Sequence, residues 1–450
     1  MELFENLPIE ELIRPEGFDC DCGRHHGVDL KFLRICEGAI ASVPEAVRAL
    51  GGKKPFIVCD KNTYRAAAEK VSRVLTDAGI EHTLFVIPDG DGDRLEPDER
   101  SLGAIAMNFD VSCDVIIGVG GGVINDLCKV FSYDCNRPQM IVGTAPSMDG
   151  FASNSSSMVV NGVKTTLYNR CPQAIVLDID ILKNAPMRML WAGLGDMVAK
   201  YISVCEWRIA NIVIGEYYCE HIAQLMRNAL KRIMAASDEL PSRSPESVKA
   251  IAEGLVLSGF AMSFAKVSRP ASGLEHYFSH MWEMLALERK KPYDLHGIQV
   301  GVGTLLTLRI YEEIKHMVPN RAKAEKAMRD FSPEEWEARV RRVFGKTAPQ
   351  VLAIEQKAHK NSPEGQKARF DRIELHWDEI QKIISEELPP FLWLFSKMKR
   401  VGMPLVPEQI HIPSEDVADA FVCSRDIRDK YLSGSLLWDM GEMDEIAARM

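Results

Sequence analysis

Residues Val115–Lys129 read VIIGVGGGVINDLCK. Val115, Ile116 and Ile117 form the β-branched run of a buried strand. Glycines 120, 121 and 122 interrupt it, and the segment from Val123 onward continues at helical spacing with Asn125 and Asp126 at its start. Strand, glycine turn and helix together are the repeating unit of a parallel α/β sheet, and the first N–H groups of such a helix attract a phosphate. A glycine triplet by itself is equally a tight turn, so its surroundings decide. PFIVCD at 55–60, 82–88, MIVG at 140–143 and AIVLD at 174–178 read as further strands, and 62–79 reads as a helix. The expectation is an α/β dinucleotide-binding domain, doubly wound, over residues 1–185.

From Pro186 the pattern changes to long amphipathic segments rich in Ala, Leu, Glu, Lys and Met, notably 211–236, 245–266, 297–317 and 373–398. An all-α C-terminal domain over 186–450 is expected, with the boundary at Asn184, Ala185 and Pro186. The polar, Lys-rich stretch 345–372 reads as a peripheral helix or loop insertion. With 450 residues, 46% of them hydrophobic, the chain suits two or three domains.

Eleven cysteines, an odd number spread along the chain, are the usage of a reducing compartment. MELFENLPIEELIRPEG lacks the apolar core of a signal peptide, and no run approaches the roughly 20 apolar residues of a membrane span. A cytoplasmic protein without a membrane span is expected. The net charge of −10 argues against a nucleic-acid partner, which needs clustered Lys and Arg.

Several positions carry chemistry. Asp60 ends a strand, where an acid accepts hydrogen bonds from an adenosine ribose, although Asp before Lys-Asn-Thr is also a good helix cap. TAPSMDGFASNSSS at 144–157 is too polar for a strand or helix core and reads as a ligand-binding loop at the carboxyl edge of the sheet. Asp196 in GLGDMVAKY lies among Trp191, Ala192, Met197 and Val198, an apolar setting unlike that of a solvated cap. His276 and His280 in SGLEHYFSH share one helical face, as metal-binding histidines do, and His296 follows after a loop containing Pro292. Together, Asp196, His276 and His296 make a one-carboxylate, two-imidazole set for a divalent metal. FDCDCGRHHG at 18–27 invites a zinc reading, but the single residue between Cys20 and Cys22 suits packing or a hairpin better. Lys164 and Lys200 are candidates for anion contacts.

These motifs, in this order, resemble the glycerol-1-phosphate dehydrogenases, a branch of the superfamily that holds iron-type alcohol dehydrogenases, glycerol dehydrogenase and 3-dehydroquinate synthase. The resemblance runs from about Phe56 to Thr304 through GGGVIND, TAPSMDG, GLGD, EHYFSH and HG, and FDCDCG looks like the bacterial type. It implies a dehydroquinate synthase-like fold and a metal-dependent oxidoreductase using NAD(H) or NADP(H) with one divalent metal: Zn, Ni or Fe. The substrate implied is small and phosphorylated: dihydroxyacetone phosphate exchanged with sn-glycerol 1-phosphate, a phospholipid precursor. It also implies a homo-oligomer, a homodimer by family habit.

By the resemblance, the cofactor pyrophosphate lies over Gly120, Gly121, Gly122, Val123, Ile124 and Asn125. Asp60 faces the ribose and favours NAD. Thr144, Ala145, Pro146 and Ser147 contact the nucleotide, with Ser153 following. Asp149 contacts substrate and, with His280, which faces substrate, is catalytic; Asp196, His276 and His296 ligate the metal, with Asp196 also near substrate. Ile298 departs from the family's HGE pattern, which places a carboxylate after His-Gly. Glycerol or polyol oxidation, and less favourably a dehydroquinate-synthase-like cyclisation, are the alternatives on the same fold; the cyclases carry glutamate where this chain has Asp196.

Overall fold

The computed structural model describes residues 3–88, 95–161 and 163–450. The chain packs as two units, Met1–Met197 with Glu220–Ser268 and Val198–Cys219 with Arg269–Met450.

The first unit opens with a short hairpin, β1 (Phe18–Asp19) and β2 (His25–His26). Its centre is a six-stranded sheet of β3 (Phe32–Cys36), β4 (Pro55–Cys59), β5 (Thr83–Val86), β6 (Val115–Gly120), β7 (Gln139–Gly143) and β10 (Ala174–Asp178), with a second hairpin of β8 (Ser155–Val160) and β9 (Val163–Tyr168). The sheet order is β3-β10-β7-β6-β4-β5, and all neighbours are parallel. Every residue of β4, β6, β7 and β10 is buried, as expected for a sheet covered on both faces. Alternate residues feed opposite cores. Ile57, Cys59, Val115, Ile117 and Val119 meet Val71 and Leu75 on one side, while Phe56, Val58 and Ile116 meet Ile124, Leu127 and Phe131 on the other.

The chain leaves β4 towards β5 on one side and returns as β6 on the other. The sheet therefore changes direction between β4 and β6, where open α/β sheets bind ligands beyond the strand ends. The polar stretch read as loop over 144–157 ends sooner: a 3-10 turn occupies Asp149–Ala152, and β8 begins at Ser155. Its serines are acceptable in a strand because the hairpin with β9 satisfies the backbone and the Ser156 hydroxyl donates to the Asp126 carbonyl (3.2 Å).

A domain boundary was expected near Pro186. By packing, the first unit runs on to Met197 and also takes in 220–268, because the helices Glu220–Ala236 and Pro245–Ala265 pack with each other and the latter with the Asp149–Ala152 turn. One expectation is corrected here. The helix Pro245–Ala265 is long and apolar enough, by length and composition, to cross a bilayer, but 72% of its most apolar window is buried inside the protein, the setting of a core helix.

Among its described residues, the elements of the second unit are all helices. The segment 211–236 is two helices, since Gly215 (φ +69) ends Lys200–Ile214 in the left-handed region. Pro389 and Pro390 likewise separate Trp377–Glu387 from Phe391–Arg400. The stretch 345–372, expected as a peripheral helix or loop insertion, forms Ala348–Ala358 and most of Pro363–Leu375, anchored where Phe370 is buried and Arg369 forks onto Asp439 (2.8 Å from Nε and from Nη2). Its polar side chains share in that anchoring, with Gln366 donating to the Asp439 carbonyl (2.7 Å).

Candidate active site

In the first unit the glycine turn joins β6 to the helix Gly122–Asp134. None of its three glycines has positive φ; the demand for glycine is steric. A Cβ on Gly120 would lie 2.5 Å from Ile124 Cγ1, and one on Gly118 would lie 3.0 Å from Cys128 Sγ, so the helix is pressed onto the strand. A Cβ on Gly121 would meet only Ser147 Oγ, at 4.0 Å, which leaves the backbone approachable. The Asn125 N–H donates to the Gly121 carbonyl (3.0 Å). The amides of Gly122, Val123 and Ile124 therefore precede the first helical bond and carry the positive end of the dipole.

Asn125 differs from expectation. Its side chain is fully buried, donating to the Gly150 carbonyl (3.0 Å) and accepting from Gln139 Nε2 (3.2 Å). Amide and side chain are thus both committed to the protein. Asp60 caps a helix: its Oδ1 accepts from the Asn62 and Thr63 amides (2.7 and 2.8 Å), and its own amide donates to Thr63 Oγ1 (2.9 Å).

The loop after β7 is fixed at both ends. The Thr144 amide donates to the Gly120 carbonyl (3.1 Å), tying β7 to the glycine turn, and the Ser147 amide donates to the Ala145 carbonyl (3.0 Å). Pro146 lies so close to the helix Met187–Val198 that a Cβ on Gly193 would stand 1.9 Å from its carbonyl oxygen. That approach brings Asp196 to the loop, where Oδ2 accepts from the Asp149 amide (2.9 Å). Asp149 Oδ2 in turn accepts from the buried Ser258 hydroxyl (2.7 Å). Lys129, fully buried, braces the same loop through the Gly150 carbonyl (3.3 Å), Ser153 Oγ (3.2 Å) and the Ser155 carbonyl, with Asp126 as its counter-ion (2.9 Å). Ser153 is therefore engaged internally.

In the second unit the helices Leu274–Glu288 and His296–Ile314 lie side by side. Gly303 permits the approach, since a Cβ there would stand 2.5 Å from the Glu275 carbonyl oxygen. Three imidazoles gather as a result, with ring centroids 5.4 Å apart for His276 and His296, 5.5 Å for His280 and His296, and 6.3 Å for His276 and His280. Two of the three imidazoles are held by carboxylates: His276 Nδ1 donates to Glu275 Oε1 (2.7 Å), and His296 Nδ1 lies 3.1 Å from Glu283 Oε1 and 3.0 Å from Ser279 Oγ. With Nδ1 protonated on a carboxylate, Nε2 carries the lone pair a cation needs. Glu283 was missed from sequence. It lies three residues after His280 and seven after His276, on the same helical face, and it supplies the acid that Ile298 cannot. Donor atoms of His280, Glu283 and His296 fall within 4.8 Å of one another. Lys200, a candidate anion contact, is instead fully buried and donates to the Ala271 carbonyl (3.1 Å).

Residues 34–186 match the model of the iron-containing alcohol dehydrogenase family. A curated glycerol-1-phosphate dehydrogenase [NAD(P)+] of Halalkalibacterium halodurans is 34% identical over 65% of this chain and 74% of its own length. That of Geobacillus stearothermophilus is 30% identical over 82% and 96%. The chain belongs to the glycerol-1-phosphate dehydrogenase family. Among solved structures, glycerol dehydrogenase from Schizosaccharomyces pombe has a TM-score of 0.60 at 16% identity, covering 93% of this chain and 90% of that one, a likeness of fold. Membership accounts for the NAD(P)-type sheet and for a metal-dependent oxidoreductase chemistry. The histidine cluster fits that chemistry on its own geometry, because the Nδ1 atoms of His276 and His296 are spent on carboxylates.

Proposed function

We propose that the chain is an NAD(P)-dependent, metal-dependent dehydrogenase that interconverts dihydroxyacetone phosphate and sn-glycerol 1-phosphate. The observation that carries the reading is the pair of histidines pinned at Nδ1 by Glu275 and Glu283. The names of the curated relatives support the substrate. Asp196, His276 and His296 would hold a divalent cation, Zn, Ni or Fe, which supplies Lewis acidity towards the C2 oxygen.

The residues of the chain do the rest. The Gly122–Ile124 amides receive the cofactor pyrophosphate, Thr144–Ser147 line the nucleotide, and the unspent oxygen of Asp60 faces its ribose, with a lean to NAD(H) over NADP(H). Asp149, steadied by Ser258, accepts a substrate hydroxyl. His280 holds and passes the proton that accompanies hydride transfer. A homo-oligomer working in the cytoplasm is part of the same proposal.

The test follows oxidation of NADH and of NADPH with dihydroxyacetone phosphate or free dihydroxyacetone, on metal-stripped and metal-restored protein. Metal-dependent turnover of the phosphate ester is expected. Preference for free dihydroxyacetone would make the chain a polyol dehydrogenase, and absence of net NAD(P)H oxidation with every ketone would remove the redox assignment.

A further inference from the structure

The hairpin at the start of the first unit gathers a second set of metal donors, none of them used by the proposed reaction. Cys20, Cys22 and His26 present ligand atoms within 4.8 Å of one another. β1 and β2 pair only Phe18 with His26 and Asp19 with His25, too little pairing to stand alone in water. The turn between them depends on Gly23, whose φ of +80 lies in the left-handed region and whose amide donates to the Cys20 carbonyl (3.1 Å). That turn folds Cys22 back until Sγ is 3.3 Å from His26 Nε2.

His26 is fully buried, and its Nδ1 lies 3.0 Å from the Phe264 carbonyl. A carbonyl only accepts, so Nδ1 carries the proton and Nε2 turns its lone pair to the Cys22 sulfur, with Cys20 Sγ within 4.8 Å. This is the orientation seen in metal-ligating histidines. Neighbouring polar groups are otherwise employed: His25 is paired with Asp19 (2.8 Å), and Asp21 with His221 Nε2 (3.1 Å). The single-residue spacing of Cys20 and Cys22, which favoured simple packing in the sequence, places both sulfurs beside the same imidazole once the turn is made.

We propose that Cys20, Cys22 and His26 bind a structural Zn²⁺ that staples the N-terminal hairpin to the end of the helix Pro245–Ala265, separately from the dehydrogenase metal. Structural zinc takes four donors, and Cys and His are its usual set. Cys20, Cys22 and His26 supply three of these and leave one position of the tetrahedron for a fourth ligand. The site is distinct in chemistry from the proposed catalytic set, which contains no thiolate.

That difference supplies the experiment. Full-length His276→Ala protein, purified with zinc and then exchanged to cobalt, is assayed for metal content and for thiolate-to-cobalt charge-transfer absorption in the near ultraviolet. Retained metal with a charge-transfer band is expected. The band should vanish in His276→Ala/Cys22→Ser and persist with the control Cys135→Ser. Because the readout is taken before any variant of the hairpin is made, misfolding of the Cys22 variant does not blunt it. Absence of metal from the His276→Ala protein, a cobalt form without the band, or a Cys20–Cys22 disulfide in the native protein would each overturn the proposal. None of these results depends on whether dihydroxyacetone phosphate is the substrate.

Discussion

Removing the Glu283 carboxylate leaves His296 with only the Ser279 hydroxyl at Nδ1, so the ring keeps its place but loses the group that fixes its proton. Glu283→Gln should weaken metal binding by about 10–100-fold with little change in the far-ultraviolet spectrum. His276→Ala and His296→Ala should abolish metal-dependent turnover outright. Metal titration and kcat on the same preparations decide, and unchanged affinity in Glu283→Gln would make that carboxylate incidental. Asp60 poses a different question, because its Oδ1 is visibly spent on the Asn62 and Thr63 amides. Serine caps a helix about as well as aspartate, so Asp60→Ser separates the cap from the charge. Stability should hold while the NADPH-to-NADH preference rises. A preference ratio that does not move would leave Asp60 as a cap alone.

Among the elements, two helix approaches set the site, and both pass over a glycine. Gly193→Ala would press a methyl group against the Pro146 carbonyl, and Gly303→Ala against that of Glu275. Each should cost roughly 1–3 kcal/mol in chemical denaturation. The first should mainly raise the cofactor KM by moving the 144–149 loop, the second should mainly lower metal affinity by parting the histidine helices. Gly103→Ala is the control: the added methyl would be 3.9 Å from Met107 Cε inside the helix Glu99–Met107, and it should be neutral or slightly stabilising. If all three behave alike, close approach does not explain these glycines. The strands β4, β6, β7 and β10 were legible because burial on both faces writes an unbroken apolar run. The 345–372 helices and the start of β8 were not, since their polar side chains are satisfied by partners distant in sequence.

At the scale of the molecule, stability should carry the mark of Lys430. Burial, reinforced by Arg269 and Arg428, pushes its ammonium down to about 7 from the ordinary 10.5. Between those values the unfolded chain holds a proton that the folded chain has released, so stability rises with pH across the window, by up to about 1.4 kcal/mol per pH unit. Below pH 7 the penalty of burying the charge is paid in full. Lys430→Met should flatten the slope measured by denaturation at pH 7, 8 and 9, whereas an unchanged slope would assign it to other groups. What the sequence determined by itself was local: the alternation of strand and helix, the strand–glycine–helix turn, and two histidines four apart on one face. Periodicity and backbone geometry act over a few residues and leave their trace there. Only the tertiary structure decided that the Asp149 amide meets Asp196, that Glu283 rather than a residue after His-Gly orients His296, and that Cys20, Cys22 and His26 converge. Those arrangements depend on how close helices and turns come in space, and close approach is set by packing of residues that the chain order keeps apart.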